Sequence, residues 1–180
     1  SAEKDPSLRL SIDSCDIEFT DRWQGVQHIH LEGELDDYVL RRGDGMYAYN
    51  LAVVLDDIAM GITEVIRGDD LLDTTGQQIY LYKTLQQCLH SKHIKVPSYG
   101  HAPLLIDSEG HRLSKRQKSI TIRELRDNQW SANRIVGELA IVGGLVNANT
   151  LNNREISISE LIKIDLNLPS LSQKTIEIKI

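Results

Sequence analysis

Cysteine is scarce in this chain: Cys15 and Cys88 are its only two among 180 residues. Two cysteines this far apart make neither a disulfide framework nor a zinc site. Both are read as reduced thiols, which fits a cytoplasmic setting. Long apolar runs are missing too. None approaches the ~18–20 residues that cross a bilayer, so no membrane association is expected. The opening residues, Ser1 to Asp5, are polar, and no signal peptide is expected. No Gly-rich phosphate loop is present. The six histidines show no i,i+4 pair and no cysteine partner, so no metal site is expected within this chain. An excess of positive charge is also lacking. The net charge is −6, which does not mark a general nucleic-acid binder.

What is there is an ordinary globular composition, 41% apolar and 26% charged, enough for one sizeable core or two small ones. The charge is unevenly spread. Residues 1–75 carry 6 Lys/Arg against 17 Asp/Glu, and residues 76–180 carry 14 against 9. The basic part holds Arg112, Lys115, Arg116, Lys118, Arg123 and Arg126. Such a patch can hold phosphates on an acidic protein, or it can be a solvated helix start.

The first forty residues read as short antiparallel strands. Leu8–Ile12 and Ile17–Thr20 alternate with period two, and 26–31 and 38–42 are further strand candidates. Gly43-Asp44-Gly45 is a turn signal. From Tyr49 to Met60 apolar residues recur at 51, 54, 55 and 58, the spacing of a helix, and Gly61 closes it. Ile62–Ile66 reads as a buried strand. Thr74 or Thr75 is a candidate cap for a helix through Gln78, Leu81, Leu85 and Leu89. Helix, strand, helix in this order predicts a parallel α/β unit. Pro97–Ile106 with the turn 107–110 reads as a hairpin running into a basic loop at Lys115. Thr121-x-x-Glu124 and Ser157-x-x-Glu160 fit capping boxes, and Ser131 fits a cap for a helix ending at Gly143-Gly144.

Arg67 follows the predicted strand, and ligands of open α/β sheets bind outside the carboxyl ends of strands. Arginine can hold a carboxylate with two parallel hydrogen bonds. The alternative is an ion pair with Asp69, Asp70 or Asp73. Tyr49 begins the preceding helix, where its hydroxyl reaches the same edge or packs against Tyr47. Lys115 and Arg116 follow Ser114 in a loop whose charge can stabilise a leaving pyrophosphate. Of Asp56 and Asp57, one must face inward or a helix end. His101 reads as a rim residue of the hairpin, near a nucleotide.

Several stretches together resemble the class I aminoacyl-tRNA synthetases of the glutamyl type. They are Ile17–Gly25 (Ile-Glu-Phe-Thr-Asp-Arg-Trp-Gln-Gly), Tyr38–Asp57, Gly61–Leu72, Pro97–Ile106 and Arg112-Leu113-Ser114-Lys115-Arg116. The part Arg41–Tyr49 is similar to the glutamyl-queuosine branch, whereas Arg116 and 120–127 lean toward ordinary glutamyl enzymes. The resemblance implies the second half of a Rossmann-like parallel sheet at 41–118. Before it, at 1–40, would come the end of an inserted acceptor-binding piece, and after it, at 119–180, a short helical region against the tRNA stem.

By that resemblance Tyr49 and Arg67 bind glutamate. Arg112, Leu113, Ser114, Lys115 and Arg116 form the signature loop on ATP, with Lys115 acting in catalysis. ATP with Mg2+, glutamate and tRNA are the implied partners, and the acceptor is queuosine in the anticodon of tRNA(Asp) or the tRNA 3′ end. The His-Ile-Gly-His type signature is absent, as are the paired arginine and the acidic residue used on the substrate amine. The chain therefore resembles the carboxyl half of such an enzyme. It is expected to need the missing amino-terminal half, where any zinc ligands would lie, and to be inactive alone. A non-catalytic tRNA- or protein-binding module derived from the family is the further alternative.

Overall fold

The computed structural model describes residues 5–33, 38–113, 121–164, 171 and 175–177. The chain divides into two compact units, Ser1–His101 and Ala102–Ile180. Both mix strands and helices.

In the first unit, strand β1 (Leu8–Leu10) pairs antiparallel with β4 (Tyr38–Arg41), with a register shift between Leu8 and Arg9. Strands β2 (Cys15–Asp21) and β3 (Gly25–Leu31) form an antiparallel hairpin in unbroken register from Cys15↔Leu31 to Asp21↔Gly25. Gly25 takes φ +72°, a conformation glycine adopts without steric cost. Helix α1 (Tyr49–Met60) leads to β5 (Glu64–Gly68), α2 (Thr75–Cys88) and β6 (Ser98–Ala102). These strands form one sheet in the order β3-β2-β6-β5, and β6 meets β2 in parallel at Asp21↔Tyr99. The sheet is mixed, with helices between its strands, as the α/β expectation requires.

The core gathers Ile12, Ile17, Leu31, Tyr38, Val54, Ile79, Leu81, Tyr82, Ile94 and Tyr99. The alternation along β2 turns Ile17 and Phe19 inward and leaves Asp16, Glu18 and Thr20 exposed. Helix α2 approaches β3 closely at its start. A Cβ on Gly76 would come within 2.8 Å of Ile29 Cγ2, so only glycine fits.

Four details differ from the sequence reading. The strand expected at 62–66 runs from Glu64 to Gly68. The Ile62 amide is taken by the end of α1, donating to Asp57 O at 2.9 Å, and Gly61 sits at φ +67°. That is the Schellman ending, and it delays the strand by two residues. The strand is also less buried than expected, with Ile66 50% exposed at the sheet's edge. Leu55 is exposed, because the face of α1 packed on the core is Leu51, Val53, Val54 and Ile58. Neither Thr74 nor Thr75 caps α2 through its side chain, since both hydroxyls donate back to Leu71 O.

The second unit begins with β7 (Leu104–Ile106), which pairs in parallel with β8 (Thr175–Glu177). The expected hairpin turn forms: Ile106 bridges Arg112 in antiparallel fashion, and Gly110 turns at φ +81°. Among the described residues the α-helices α3 (Ile122–Asp127), α4 (Ala132–Val142) and α5 (Ile158–Leu161) follow. Thr121 and Ser157 close reciprocal capping boxes with Glu124 and Glu160, and Ser131 accepts from Arg134 N. Helix α4 stops at Gly143, followed by Gly144 at φ +68°.

Candidate functional site

Arg67 lies near the carboxyl end of β5, one residue before its last. Its side chain is half-buried and held by three hydrogen bonds. Nε donates to His101 Nε2 at 3.0 Å, and Nη2 donates to Leu71 O at 3.0 Å and to Thr75 Oγ1 at 2.7 Å. One face of the guanidinium lies over the Tyr99 ring, 5.5 Å from its centroid. Burial lowers the Arg67 pKa, and Tyr99, Tyr49, Asp70 and Asp21 oppose that shift electrostatically. Among the described residues no carboxylate lies at ion-pair distance from it. The expected alternative, a direct ion pair with Asp69, Asp70 or Asp73, is therefore not the arrangement found. Tyr49 opens α1, is 66% exposed, and acts on Arg67 through its charge distribution. The two residues thus share one neighbourhood.

Behind Arg67 lies a polar cluster that the sequence reading missed. His101 is fully buried, not on a rim. Its position in β6, between β2 and β5, gives it protein on both sides. Its Nδ1 meets Asp21 Oδ2 at 2.6 Å, and both side chains have no exposure. Arginine can only donate, so Nε2 of His101 must accept from Arg67, and the ring proton sits on Nδ1 facing Asp21. The other Asp21 oxygen accepts backbone N–H groups of Trp23, Gln24 and His101 at 3.0, 3.0 and 3.2 Å. Burial on its own raises the Asp21 pKa. The His101 hydrogen bond and the backbone donors outweigh it and hold the carboxyl below the usual range. Tyr99 stacks on His101 at 6.2 Å between centroids, and burial pushes its phenol up to about 12.

One signal could have exposed Asp21. The two-residue alternation that buries Ile17 places Asp21 on the same inner face, where a carboxylate needs a partner. Thr75 and His101 carried no comparable mark. Of the two central aspartates of α1, Asp57 is the inward one, accepting from Tyr82 OH at 3.5 Å, and Asp56 is exposed. Asp69 Oδ1 is buried without a hydrogen-bond partner among the described residues.

Arg112 and Leu113 belong to the second unit. Arg112 is exposed, and Leu113 N donates to Leu105 O at 3.0 Å, which ties the start of the loop to β7. Ser114, Lys115 and Arg116 lie outside the described residues. Among the described residues, no three His, Cys, Asp or Glu side chains are grouped to hold a metal ion, and no helix is long and apolar enough to cross a membrane.

The chain is similar to known proteins over most of its length. It is 43% identical over 143 residues to a glutamyl-Q tRNA(Asp) synthetase of Symbiobacterium thermophilum, covering 79% of this chain and 42% of that protein. It is 49% identical over 117 residues to one from Burkholderia cenocepacia, covering 64% of this chain and 37% of the relative. The chain thus spans roughly two fifths of the length of these relatives. A solved glutamate-tRNA synthetase from Elizabethkingia anophelis superposes with a TM-score of 0.71 over 94% of this chain and 35% of that one, at 23% identity, which shows a shared fold. The family model for class I tRNA synthetases (E and Q), catalytic domain, matches residues 1–177, and the chain belongs to that family.

Proposed function

We propose that this chain forms part of an enzyme that activates glutamate with ATP and passes the glutamyl group to tRNA, the acceptor being queuosine in the anticodon of tRNA(Asp). The observation that carries the reading is Arg67. Among the described residues, three of its five N–H groups are used by His101, Leu71 and Thr75, and the two without a partner there are on Nη1. A half-buried cation with a free pair of donors suits a carboxylate, and Tyr49 lies in the same neighbourhood.

The chemistry is a displacement at phosphorus. A glutamate carboxylate oxygen attacks the α-phosphorus of ATP, the bond to the bridging oxygen breaks, and pyrophosphate leaves with its electron pair. Arg112 to Arg116 would lie along the phosphates, with Lys115 neutralising the charge that grows on the leaving group. Mg2+ would arrive with ATP as part of the substrate. A hydroxyl of the acceptor then attacks the mixed anhydride and AMP departs. Residues 1–40 would end an acceptor-binding piece, 41–118 would hold glutamate and ATP, and 119–180 would contact the tRNA stem. An amino-terminal part would supply the rest of the site.

The choice of acceptor rests on the names of the relatives, glutamyl-Q tRNA(Asp) synthetases at 43% identity. The likeness to solved glutamate-tRNA synthetases keeps an ordinary glutamyl enzyme, charging the tRNA 3′ end, as the second reading. The test joins this chain to its native amino-terminal part and follows radioactive glutamate with ATP. Transfer to tRNA(Asp) that contains queuosine, and not to tRNA(Asp) that lacks it, is expected. Transfer to tRNA(Glu) alone would establish the ordinary enzyme. No glutamate-dependent pyrophosphate exchange at all would leave a non-catalytic binding module.

A further inference from the structure

We infer that Asp21 and His101 are positioning residues that set the orientation of Arg67 through a buried Asp–His–Arg relay. The inference rests on the reading of Arg67 as the group that holds glutamate, and it adds two residues to that site.

Both ends of the relay are fixed. At one end, three backbone N–H groups and one imidazole N–H point at a single carboxylate. The three amides all fall on Asp21 Oδ1, leaving Oδ2 to face His101. At the other end, Nε and Nη2 of Arg67 are both anchored. A guanidinium is planar, so anchoring two of its nitrogens fixes the third. Nη1 and its two N–H groups are held in one direction before any ligand arrives. Preorganisation of this kind spares the rotamer entropy a free arginine would lose on binding.

The imidazole between the two charges has a specific consequence. A carboxylate placed directly on Arg67 would hold it as firmly but would use up its charge. Neutral His101 accepts one hydrogen bond and leaves the guanidinium's charge uncompensated at the contact. It can accept only while its own proton is on Nδ1, and Asp21 Oδ2 keeps it there. Thr75 completes the collar: its hydroxyl accepts from Nη2 and lies 3.3 Å from Leu71 O and 3.2 Å from His101 Nε2.

Asp21→Asn tests this through the tautomer. The three backbone donors still claim the amide oxygen, so the new NH2 group faces His101 Nδ1. The ring must then accept on Nδ1 and carry its proton on Nε2, against the Arg67 Nε–H. The variant is nearly isosteric, yet it turns an attraction at Nε into a clash of two donors. His101→Leu removes the acceptor outright, whereas His101→Gln offers a side-chain oxygen in its place.

Two measurements decide the matter. The first is nitrogen-15 NMR of histidine-labelled chain. The expected result is a protonated Nδ1 and an unprotonated Nε2 for His101. A proton on Nε2 in the wild type overturns the relay, whether or not any variant folds. The second is glutamate-dependent ATP–pyrophosphate exchange by the whole protein with its amino-terminal part. Asp21→Asn and His101→Leu should raise the KM for glutamate about 10- to 100-fold, the effect of one charge-assisted hydrogen bond, and leave the KM for ATP within about twofold. His101→Gln should recover part of the loss. In an Arg67→Ala background, Asp21→Asn should add nothing.

Equal loss for glutamate and ATP would mean a merely structural role and would sink the relay, as would an unchanged glutamate KM in Asp21→Asn beside a raised one in Arg67→Ala. An unchanged glutamate KM in Arg67→Ala would instead sink the reading of Arg67 itself.

Discussion

Arg67 and Arg154 sit in the two units of one chain and are held in opposite ways. Arg154 lies against a carboxylate: its Nε donates to Glu138 Oε1 at 2.6 Å and its Nη2 to Glu138 Oε2. Arg67 is held by an imidazole, a carbonyl and a hydroxyl, none of which carries charge. The Arg154 side chain is 47% exposed over a Glu138 that is 9% exposed, so its charge is spent covering a nearly buried anion. The second unit thus uses its arginine as a brace, whereas the contacts of Arg67 among the described residues leave its charge without a direct counter-ion.

The brace can be broken first from its backbone side. A Cβ on Gly137 would lie 2.0 Å from Arg154 O, with no flexible atom to give way. Gly137→Ala should cost about 3 kcal/mol in urea unfolding, the upper range for overpacking. Its counterpart Arg154→Ala should lower the urea midpoint by less than Gly137→Ala does, because half of the arginine is in water. In the whole protein it should leave the glutamate KM within about twofold, whereas loss of Arg67 should not. A shift in glutamate KM with Arg154→Ala would end the distinction between the two arginines.

Acid titration sharpens the same contrast. The Glu138 carboxyl is lowered from its ordinary 4.5 chiefly by the hydrogen bond from Arg154, with burial opposing, and Asp21 is lowered from 3.8 despite its burial. The folded state binds both protons more weakly than the unfolded chain does. The stability they contribute is therefore present above those ordinary values and is lost as pH falls through the lower folded values. Unfolding free energy measured against pH should hold from neutrality to about pH 4.5 and drop below it, and Glu138→Gln should reduce the drop. The smallest effect belongs to the caps. Thr121→Ala and Ser157→Ala should each cost about 1 kcal/mol, read from the shift in urea midpoint.

Much of the fold was legible because it rests on local signals. Spacing of Leu51, Val54 and Ile58 with Gly61 after them specified α1 to the residue, and both capping boxes were readable from four-residue patterns. Alternation revealed β1 and β2. The start of β5 was misplaced because Ile62 looks like a strand residue, while its amide belongs to the helix cap. Arg67 was a candidate from its place at a strand end, whereas Tyr49 entered as a candidate through the family resemblance. The relay could not be assembled in the same way. Asp21 and His101 are 80 positions apart, and nothing local joins an aspartate beside a hairpin turn to a histidine in a distant strand. Only the parallel match of Asp21 with Tyr99 brings them together. His101 reads as a rim residue because its neighbours in sequence look like a surface hairpin, whereas its neighbours in space are the central strands of a sheet.

The measurement that bears most directly on the account is glutamate-dependent ATP–pyrophosphate exchange by the whole protein carrying Arg67→Lys. Lysine keeps the positive charge but not the fixed fork, so the account predicts a glutamate KM raised at least about tenfold with the ATP KM unchanged. A variant with the wild-type KM for glutamate would contradict it, because Arg67 would then contribute no oriented contact to the substrate.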